Sequence, residues 1–167
     1  MERVRVGVQT GAALALTLTL AGSANAQQVL EQRLRLDEFK WPQSQQNQAG
    51  SAMVQGQQVI FVVGDGTSKG LFSIVFKVPP NTKIEPHSHP EERSCFVLSG
   101  TWYFAYGTVW DESKLKALPV GGNYTEPAGR PHFAATKDGE VIQQCTAVGP
   151  TGTTFVNPSD DPRNAKK

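Results

Sequence analysis

The sequence contains very little histidine and cysteine: three histidines and two cysteines among 167 residues. Two cysteines allow at most one disulfide within the chain. Internal repeats, a phosphate-binding glycine loop and a nucleophile motif are all missing, and helical periodicity is almost absent. The sequence therefore gives no support for a solenoid, a P-loop enzyme or a helical bundle.

The chain also lacks a marked excess of charge, with 16 basic and 15 acidic residues. The few charges before residue 27 are Glu2, Arg3 and Arg5, and their removal would leave a net charge of zero. A neutral chain has no electrostatic attraction for polyanions. We therefore expect no nucleic-acid partner and no anionic-membrane partner.

The only long apolar run lies at the start of the chain. Arg3 and Arg5 precede an apolar stretch at residues 11–21, and Ala24 and Ala26 form a small-x-small cleavage site. This order is typical of an export signal over residues 1–26. The alternative, a retained membrane anchor, is disfavoured because the run is short and rich in Ala and Thr. We predict an exported protein, periplasmic or secreted, without stable membrane insertion after cleavage.

The remaining residues amount to one domain. Residues 27–53 are polar and rich in glutamine, which predicts an N-terminal arm that Leu34, Leu36, Phe39 and Trp41 pin onto the domain. A barrel region follows at residues 54–157, and residues 158–167 form a polar C-terminal tail that we expect to fray.

Short runs of β-branched and aromatic residues between Gly and Pro turns predict an all-β sandwich or barrel. Residues 59–63 and 71–78 predict a hairpin around a glycine-rich turn, with Phe72 and Ile74 on a core face. In residues 101–107, Trp102, Phe104 and Tyr106 share one face and Tyr103 points to the other, and the Trp and Tyr side chains either line a ligand cavity or belong to the core. A short helix or turn is expected behind Asp111, and the predicted closing strands lie at residues 140–148 and 153–156.

All three histidines fall in two stretches, residues 85–100 and 121–136. His87 and His89 are two residues apart, so on an extended chain they project to one face. His132, after a Pro-x-Gly turn, would complete a set of three nitrogens. Such a set suits a divalent transition metal (Fe, Zn, Mn, Ni or Cu) better than calcium or magnesium. The alternative is that these are ordinary histidines without a ligand role.

The two stretches resemble the paired motifs of the cupin superfamily. In the first motif His87, His89 and Gly100 match the family spacing, and in the second Gly121, Pro127, Gly129 and His132 match. The resemblance covers about residues 54–157. It implies an all-β cupin double-stranded β-helix, also called a jelly-roll barrel. It also implies a small-molecule ligand and leaves a homodimer open.

The sequence departs from the family pattern at three positions. Arg93 stands where the family has a metal-binding glutamate, Thr136 stands where Asn is common, and Asn81 replaces the leading glycine. An arginine has donors only and cannot bind a metal. The resemblance thus implies three imidazole ligands, unless Glu91 or Glu92 moves in. Arg93 is either a clamp for an acidic substrate or the ion-pair partner of Glu91, Glu92 or Glu126.

Function is less constrained than fold, because the superfamily includes enzymes and binding proteins. A three-histidine site without the glutamate resembles those of the non-haem iron dioxygenases, which act on a small organic substrate. The competing class is a non-catalytic module that binds a sugar or an organic acid.

The resemblance also bears on the two cysteines. In the cupin fold the strand that ends the first motif lies beside the strand that follows the second motif's histidine. Cys95 is on the former and Cys145 on the latter, which predicts a disulfide in an oxidising compartment. The alternative is two free buried thiols.

Overall fold

A computed structural model describes residue 29 and residues 31–43 and 48–164. The predicted export signal at residues 1–26 lies outside the described residues. Within the described ranges there are ten β-strands and four single-turn 3₁₀ helices, and no α-helix. The strands are β1 (Gln58–Val63), β2 (Leu71–Val78), β3 (Lys83–Ser88), β4 (Arg93–Ser99), β5 (Thr101–Tyr106), β6 (Lys116–Pro119), β7 (Asn123–Glu126), β8 (His132–Ala135), β9 (Val141–Val148) and β10 (Thr154–Phe155). The 3₁₀ helices are Leu36–Glu38, Glu112–Lys114, Pro158–Asp160 and Pro162–Asn164.

The strands form two five-stranded sheets, in the orders β1-β2-β9-β4-β7 and β10-β3-β8-β5-β6. Every strand pairing is antiparallel. The strands of each sheet come from both halves of the chain, as in a jelly roll. This confirms the predicted all-β cupin double-stranded β-helix. No helix in the described part of the chain is long and apolar enough to cross a membrane.

Alternating side chains on β2 and β4 build the core between the sheets. Phe72 and Ile74 on β2 are almost fully buried in the core cluster, as predicted. On β4 the inward positions are Arg93, Cys95 and Val97, whereas Ser94 and Phe96 are exposed. The period-two alternation of a strand therefore carries Arg93 into the barrel along with the apolar residues.

Two tight turns determine where the strands next to the site begin and end. Gly100 connects β4 to β5 with a φ of 78°, and a side chain there would collide with the carbonyl of Glu140. Asn81, which stands before β3 in place of the family glycine, has a φ of 54°. Asn is one of the few residues with a side chain that visits this left-handed region routinely. The substitution at position 81 therefore keeps the turn.

The hairpin of β1 and β2 is confirmed. The short turn behind Asp111 is also confirmed, since its carboxylate accepts a hydrogen bond from the backbone N–H of Ser113 at the start of Glu112–Lys114. The helix does not continue to Leu118, which lies on strand β6 and is buried. The sequence pattern did not distinguish β6 from a helical turn because the strand is only four residues long.

The two cysteines form a disulfide, as the resemblance predicted. Cys95 on β4 lies directly opposite Cys145 on β9, with a Cα–Cα distance of 4.1 Å. Both residues belong to the buried core. The disulfide therefore links two neighbouring central strands of one sheet from inside the barrel.

The two ends of the described chain agree with the prediction only in part. Leu34 is half exposed, whereas Leu36, Phe39 and Trp41 are partly buried and the segment at residues 50–53, at the end of the arm, is buried. The predicted fraying of the tail is wrong for residues 158–164. There Arg163 pairs with Asp161 and donates a hydrogen bond to the carbonyl of Thr153 at 3.0 Å. The hydrogen bond to Thr153 connects the tail to the segment that leads into β10.

Candidate metal centre

The structure brings the three histidines together inside the barrel. His87 lies on β3, His89 immediately follows this strand, and His132 begins β8, where it pairs with His87. One ligand nitrogen from each histidine lies within 4.8 Å of the other two. All three side chains are buried. The two sequence stretches thus meet at one point, and this three-histidine group can hold a metal ion.

The backbone fixes the orientation of each imidazole ring. Nδ1 of His87 lies 2.7 Å from the carbonyl of Glu85, and Nδ1 of His89 lies 2.6 Å from that of Gly152. Nδ1 of His132 lies 3.1 Å from the carbonyl of Arg130. A carbonyl oxygen can only accept, so each Nδ1 carries the hydrogen. The lone pair of each neutral ring is then on Nε2, the nitrogen left for a ligand.

Burial keeps these rings neutral. It lowers the pKa of His87 to about 3, with the nearby His132 as a second cause, and it lowers the pKa of His132 to about 4. The pKa of His89 is also well below its usual value, through burial first and then through the charge of Arg93. Neutral imidazole is the form that binds metals.

Arg93 lies beside the histidines and is held by protein groups. Its Nε donates to Glu91 at 2.7 Å, Nη1 donates to the carbonyl of Gly50 at 2.8 Å, and Nη2 donates to Thr151 at 2.7 Å. The guanidinium is almost fully buried. Its role as a substrate clamp stays a prediction. Of the carboxylates expected as its partners, Glu91 and Glu126 are in place and Glu92 is exposed.

Glu126 is the carboxylate that contacts the histidines. It ends β7 directly opposite Arg93. Its Oε2 lies 3.4 Å from Nε2 of His89 and 3.5 Å from Nη1 of Arg93, and its Oε1 lies 3.5 Å from Nε2 of His132. Burial raises the pKa of Glu126, although the charge of Arg93 acts in the opposite direction.

Sequence reasoning considered Glu126 only as a partner of Arg93, and sought a replacement metal ligand in Glu91 or Glu92. In the structure Oε1 of Glu91 instead accepts hydrogen bonds from Arg93 and Thr151. One signal for the burial of Glu126 was present in the sequence. In β7, Tyr124 and Glu126 alternate with the polar residues Asn123 and Thr125, so Tyr124 and Glu126 share the inward face.

A small cavity of about 30 Å³ lies at this point. Its walls include the three histidines, Arg93 and Glu126, and also Trp102 and Phe104 of β5 and Gly50, Ala52 and Gln57 of the segment that leads into β1. Trp102 and Phe104 also belong to the core, whereas Tyr106 on the same strand is exposed. A cavity of this size has room for about one or two water-sized groups.

The residues present fit a transition metal. Nε2 of His132 and Oε2 of Glu126 are buried and have no hydrogen-bond partner among the described residues. Both are acceptors when the imidazole is neutral and the carboxylate is ionised, and unpaired buried acceptors are costly. A divalent cation would bind both. Three imidazole nitrogens and a carboxylate form a donor set typical of zinc, iron, nickel or copper.

No protein-family model matches this sequence. A search of curated proteins finds the H2HPP isomerase of Bacillus subtilis, 36% identical over 84 residues. The match covers 50% of this chain and 34% of that protein, so the matched segment spans about a third of the relative's length.

Solved structures give a second comparison. The polyketide cyclase RemF from Streptomyces resistomycificus is 20% identical with a TM-score of 0.61, over 80% of this chain and 90% of that one. The DMSP lyase DddQ from Ruegeria pomeroyi is 22% identical with a TM-score of 0.54, over 70% of this chain and 60% of that one. At such low identity these likenesses show a shared fold.

Proposed function

This chain has the fold of the cupin superfamily, and from that premise we propose that it is a metal-dependent enzyme acting on a small organic molecule. His87, His89 and His132 bind one divalent transition metal. One observation carries this proposal: three Nδ1–H groups bond to backbone carbonyls, so three Nε2 lone pairs point to one place. Rings without a ligand role would have no reason to share this orientation.

The reaction we favour is a non-oxidative rearrangement, such as an isomerisation. A bound metal supplies Lewis acidity, which polarises an oxygen atom of the substrate. The likeness in sequence to an H2HPP isomerase supports this class. The cavity walls combine apolar faces of Trp102 and Phe104 with the polar groups of the centre, which suits a small molecule with oxygen atoms at one end.

The second candidate is a three-histidine non-haem iron dioxygenase-like activity. The set of three neutral imidazoles favours it, because such a set leaves positions for a chelating substrate and O₂. A non-catalytic module that binds a sugar or an organic acid is the remaining alternative. Neither a sugar ring nor the substrate of either enzyme fits into a cavity of about 30 Å³, so binding in all three cases requires the segment before β1 to move.

In either enzyme Arg93 either keeps its protein partners or binds an acidic substrate. As a clamp for an acidic substrate it would exchange the carbonyl of Gly50 or the hydroxyl of Thr151 for a substrate carboxylate. Exchange of the Gly50 carbonyl would release the segment before β1 that lines the cavity, so substrate entry and release of Gly50 would be one event; exchange of the Thr151 hydroxyl would leave that segment in place.

We also propose that the protein is exported. The order of basic residues, apolar run and small residues before Gln27 supports this. The disulfide between Cys95 and Cys145 supports it too, because disulfides persist in oxidising compartments. The mass of the protein recovered from the periplasm or the medium tests it. A chain that retains residues 1–26 and stays with the cytoplasm would contradict it.

Metal analysis of the purified protein tests the central proposal. We expect one equivalent of a transition metal in the natural protein and none in the His132→Ala variant. Glu92→Ala, which removes an exposed carboxylate close to His89, is the matched control and should keep the metal. Normal occupancy in His132→Ala would refute a histidine-bound metal.

Two assays of the loaded protein then separate the reaction classes. Uptake of deuterium from D₂O into carbonyl compounds, followed by NMR, reports isomerase-type proton transfer. Consumption of O₂ with candidate thiols, diketones and phenolic acids reports dioxygenase activity. Binding of the same compounds without either signal would support the binding module and count against an enzyme.

A further inference from the structure

The centre contains an arginine where the resemblance expects a carboxylate, and a carboxylate on the neighbouring strand. Arg93 on β4 and Glu126 on β7 are direct cross-strand partners, and both side chains are buried. We propose that Glu126 is the fourth ligand of the metal, and that Arg93 is the residue that positions it. This inference rests on the proposed metal-binding function.

The distances agree with the separation of adjacent ligands. Ligand atoms about 2.1 Å from a metal, at angles between 90° and 110°, lie roughly 3.0–3.4 Å from one another. The carboxylate oxygens of Glu126 lie 3.4 Å from Nε2 of His89 and 3.5 Å from Nε2 of His132. Glu126 therefore stands next to two of the three histidine ligands.

Hydrogen bonding leaves Glu126 without a protein donor on its metal-facing side. The Nδ1–H groups of His89 and His132 are used by backbone carbonyls, so their Nε2 atoms offer lone pairs toward the carboxylate. With the carboxylate ionised, acceptors thus face acceptors in a buried place. Oε2 of Glu126 and Nε2 of His132 have no hydrogen-bond partner in the described part of the chain. A cation between them converts this unfavourable contact into coordination.

The balance of buried charge points the same way. The side chains of Glu91, Arg93 and Glu126 are each less than a tenth exposed, and when ionised they carry a net charge of −1. An unpaired charge in a protein interior is strongly destabilising. A divalent cation beside Glu126 compensates that charge, whereas the neutral histidines do not.

Arg93 fixes the position of the carboxylate. Its guanidinium is anchored by Glu91, Gly50 and Thr151, and Nη1 is 3.5 Å from Oε2 of Glu126. Glu91 is the natural control for Glu126. It has the same charge, is equally buried, pairs with Arg93 and also has one oxygen without a hydrogen-bond partner, but it has no ion-pair contact with the histidines, whereas Glu126 contacts His89 and His132.

The test compares Glu126→Gln with Glu91→Gln by competition with a chelator for Zn²⁺, and by the visible spectrum of the Co²⁺-loaded proteins. Loss of an outer-shell partner costs about 10–100-fold in metal affinity, so loss of a ligand should cost at least about 100-fold. We expect that loss and an altered Co²⁺ spectrum in Glu126→Gln. In Glu91→Gln we expect a loss of about 10-fold or less and an unchanged spectrum.

Equal losses in the two variants would overturn the inference, because the carboxylates would then act through charge alone. An unchanged Co²⁺ spectrum in Glu126→Gln would overturn it as well. If that variant does not fold, Glu126→Asp takes its place, and its shorter side chain should also alter the spectrum. Failure of the natural protein to bind metal would refute the proposed function instead, whereas binding that depends on His132 and ignores Glu126 would refute only this inference.

Discussion

Replacement of Arg93 by Met should strongly destabilise the metal-free protein. Met fills a similar volume and removes both the charge and the donors. The change leaves Glu91 and Glu126 buried without their common cation, and it leaves the carbonyl of Gly50 without its donor. The remaining hydrogen bond to Glu91, from Thr151, does not replace the lost charge.

The magnitude follows from the burial of all three side chains, each less than a tenth exposed. Removal of one partner from a buried ion pair typically costs about 3–5 kcal/mol. We therefore expect the free energy of unfolding to fall by about 4 kcal/mol in Arg93→Met. At a typical urea dependence of about 2 kcal/mol per molar, the unfolding midpoint would move down by about 2 M.

Urea denaturation in the presence of a chelator measures this change. Arg93→Lys should fall between the natural protein and Arg93→Met, because lysine keeps the charge but not the planar set of donors. Adding Glu91→Gln to Arg93→Met should recover part of the loss, since it removes one of the two stranded carboxylates. A stability of Arg93→Met within about 1 kcal/mol of the natural protein would refute the reasoning.

Two further predictions concern pH and the disulfide. Metal-free protein should lose stability as the pH falls below about 6.5, because the three histidines take up protons when unfolded and stay neutral when folded. Each contributes up to about 1.4 kcal/mol per pH unit, and the raised pKa of Glu126, caused by its burial, acts in the opposite direction. Equal urea midpoints at pH 7 and pH 5.5 would contradict this. The disulfide closes a loop with a sequence separation of 50, so the double variant Cys95→Ser/Cys145→Ser should be less stable than the natural protein by about 4 kcal/mol. Uptake of two alkylating groups by the unreduced natural protein would show that the bridge is absent.

The strands that alternate cleanly could be predicted from the sequence. β2 and β5 lie where the apolar and aromatic patterns indicated, and the inward face of β4 follows its parity. The short strands β6 and β7 could not be identified, because four residues are too few to show a period. These strands form because they pair with β5 and β4, and that pairing depends on the arrangement of the whole sheet and not on the local sequence.

The convergence of the three histidines was predictable because it needs only local spacing and a known pair of motifs. The disulfide needed more, since it requires the register of β4 against β9. Cys95 and Cys145 prove to be direct partners, and a register shift of two residues would have separated them. Sequence reasoning could identify the two strands but not their alignment.

Glu126 was missed as a ligand because its role depends on the pairing between two strands. A slip of one residue in β7 would turn Glu126 to the outer face of the sheet. In the observed register Glu126 is paired with Arg93. The buried arginine requires a carboxylate partner, and two are present, Glu91 and Glu126. Glu91 satisfies the guanidinium, which leaves Glu126 with oxygens directed at the histidines. Such a barrel can thus keep a carboxylate beside three imidazoles when residue 93 is arginine, provided that residue 126, its partner on the neighbouring strand, is acidic. Positions 93 and 126 should therefore be compared as a pair whenever the metal ligands of such barrels are assigned.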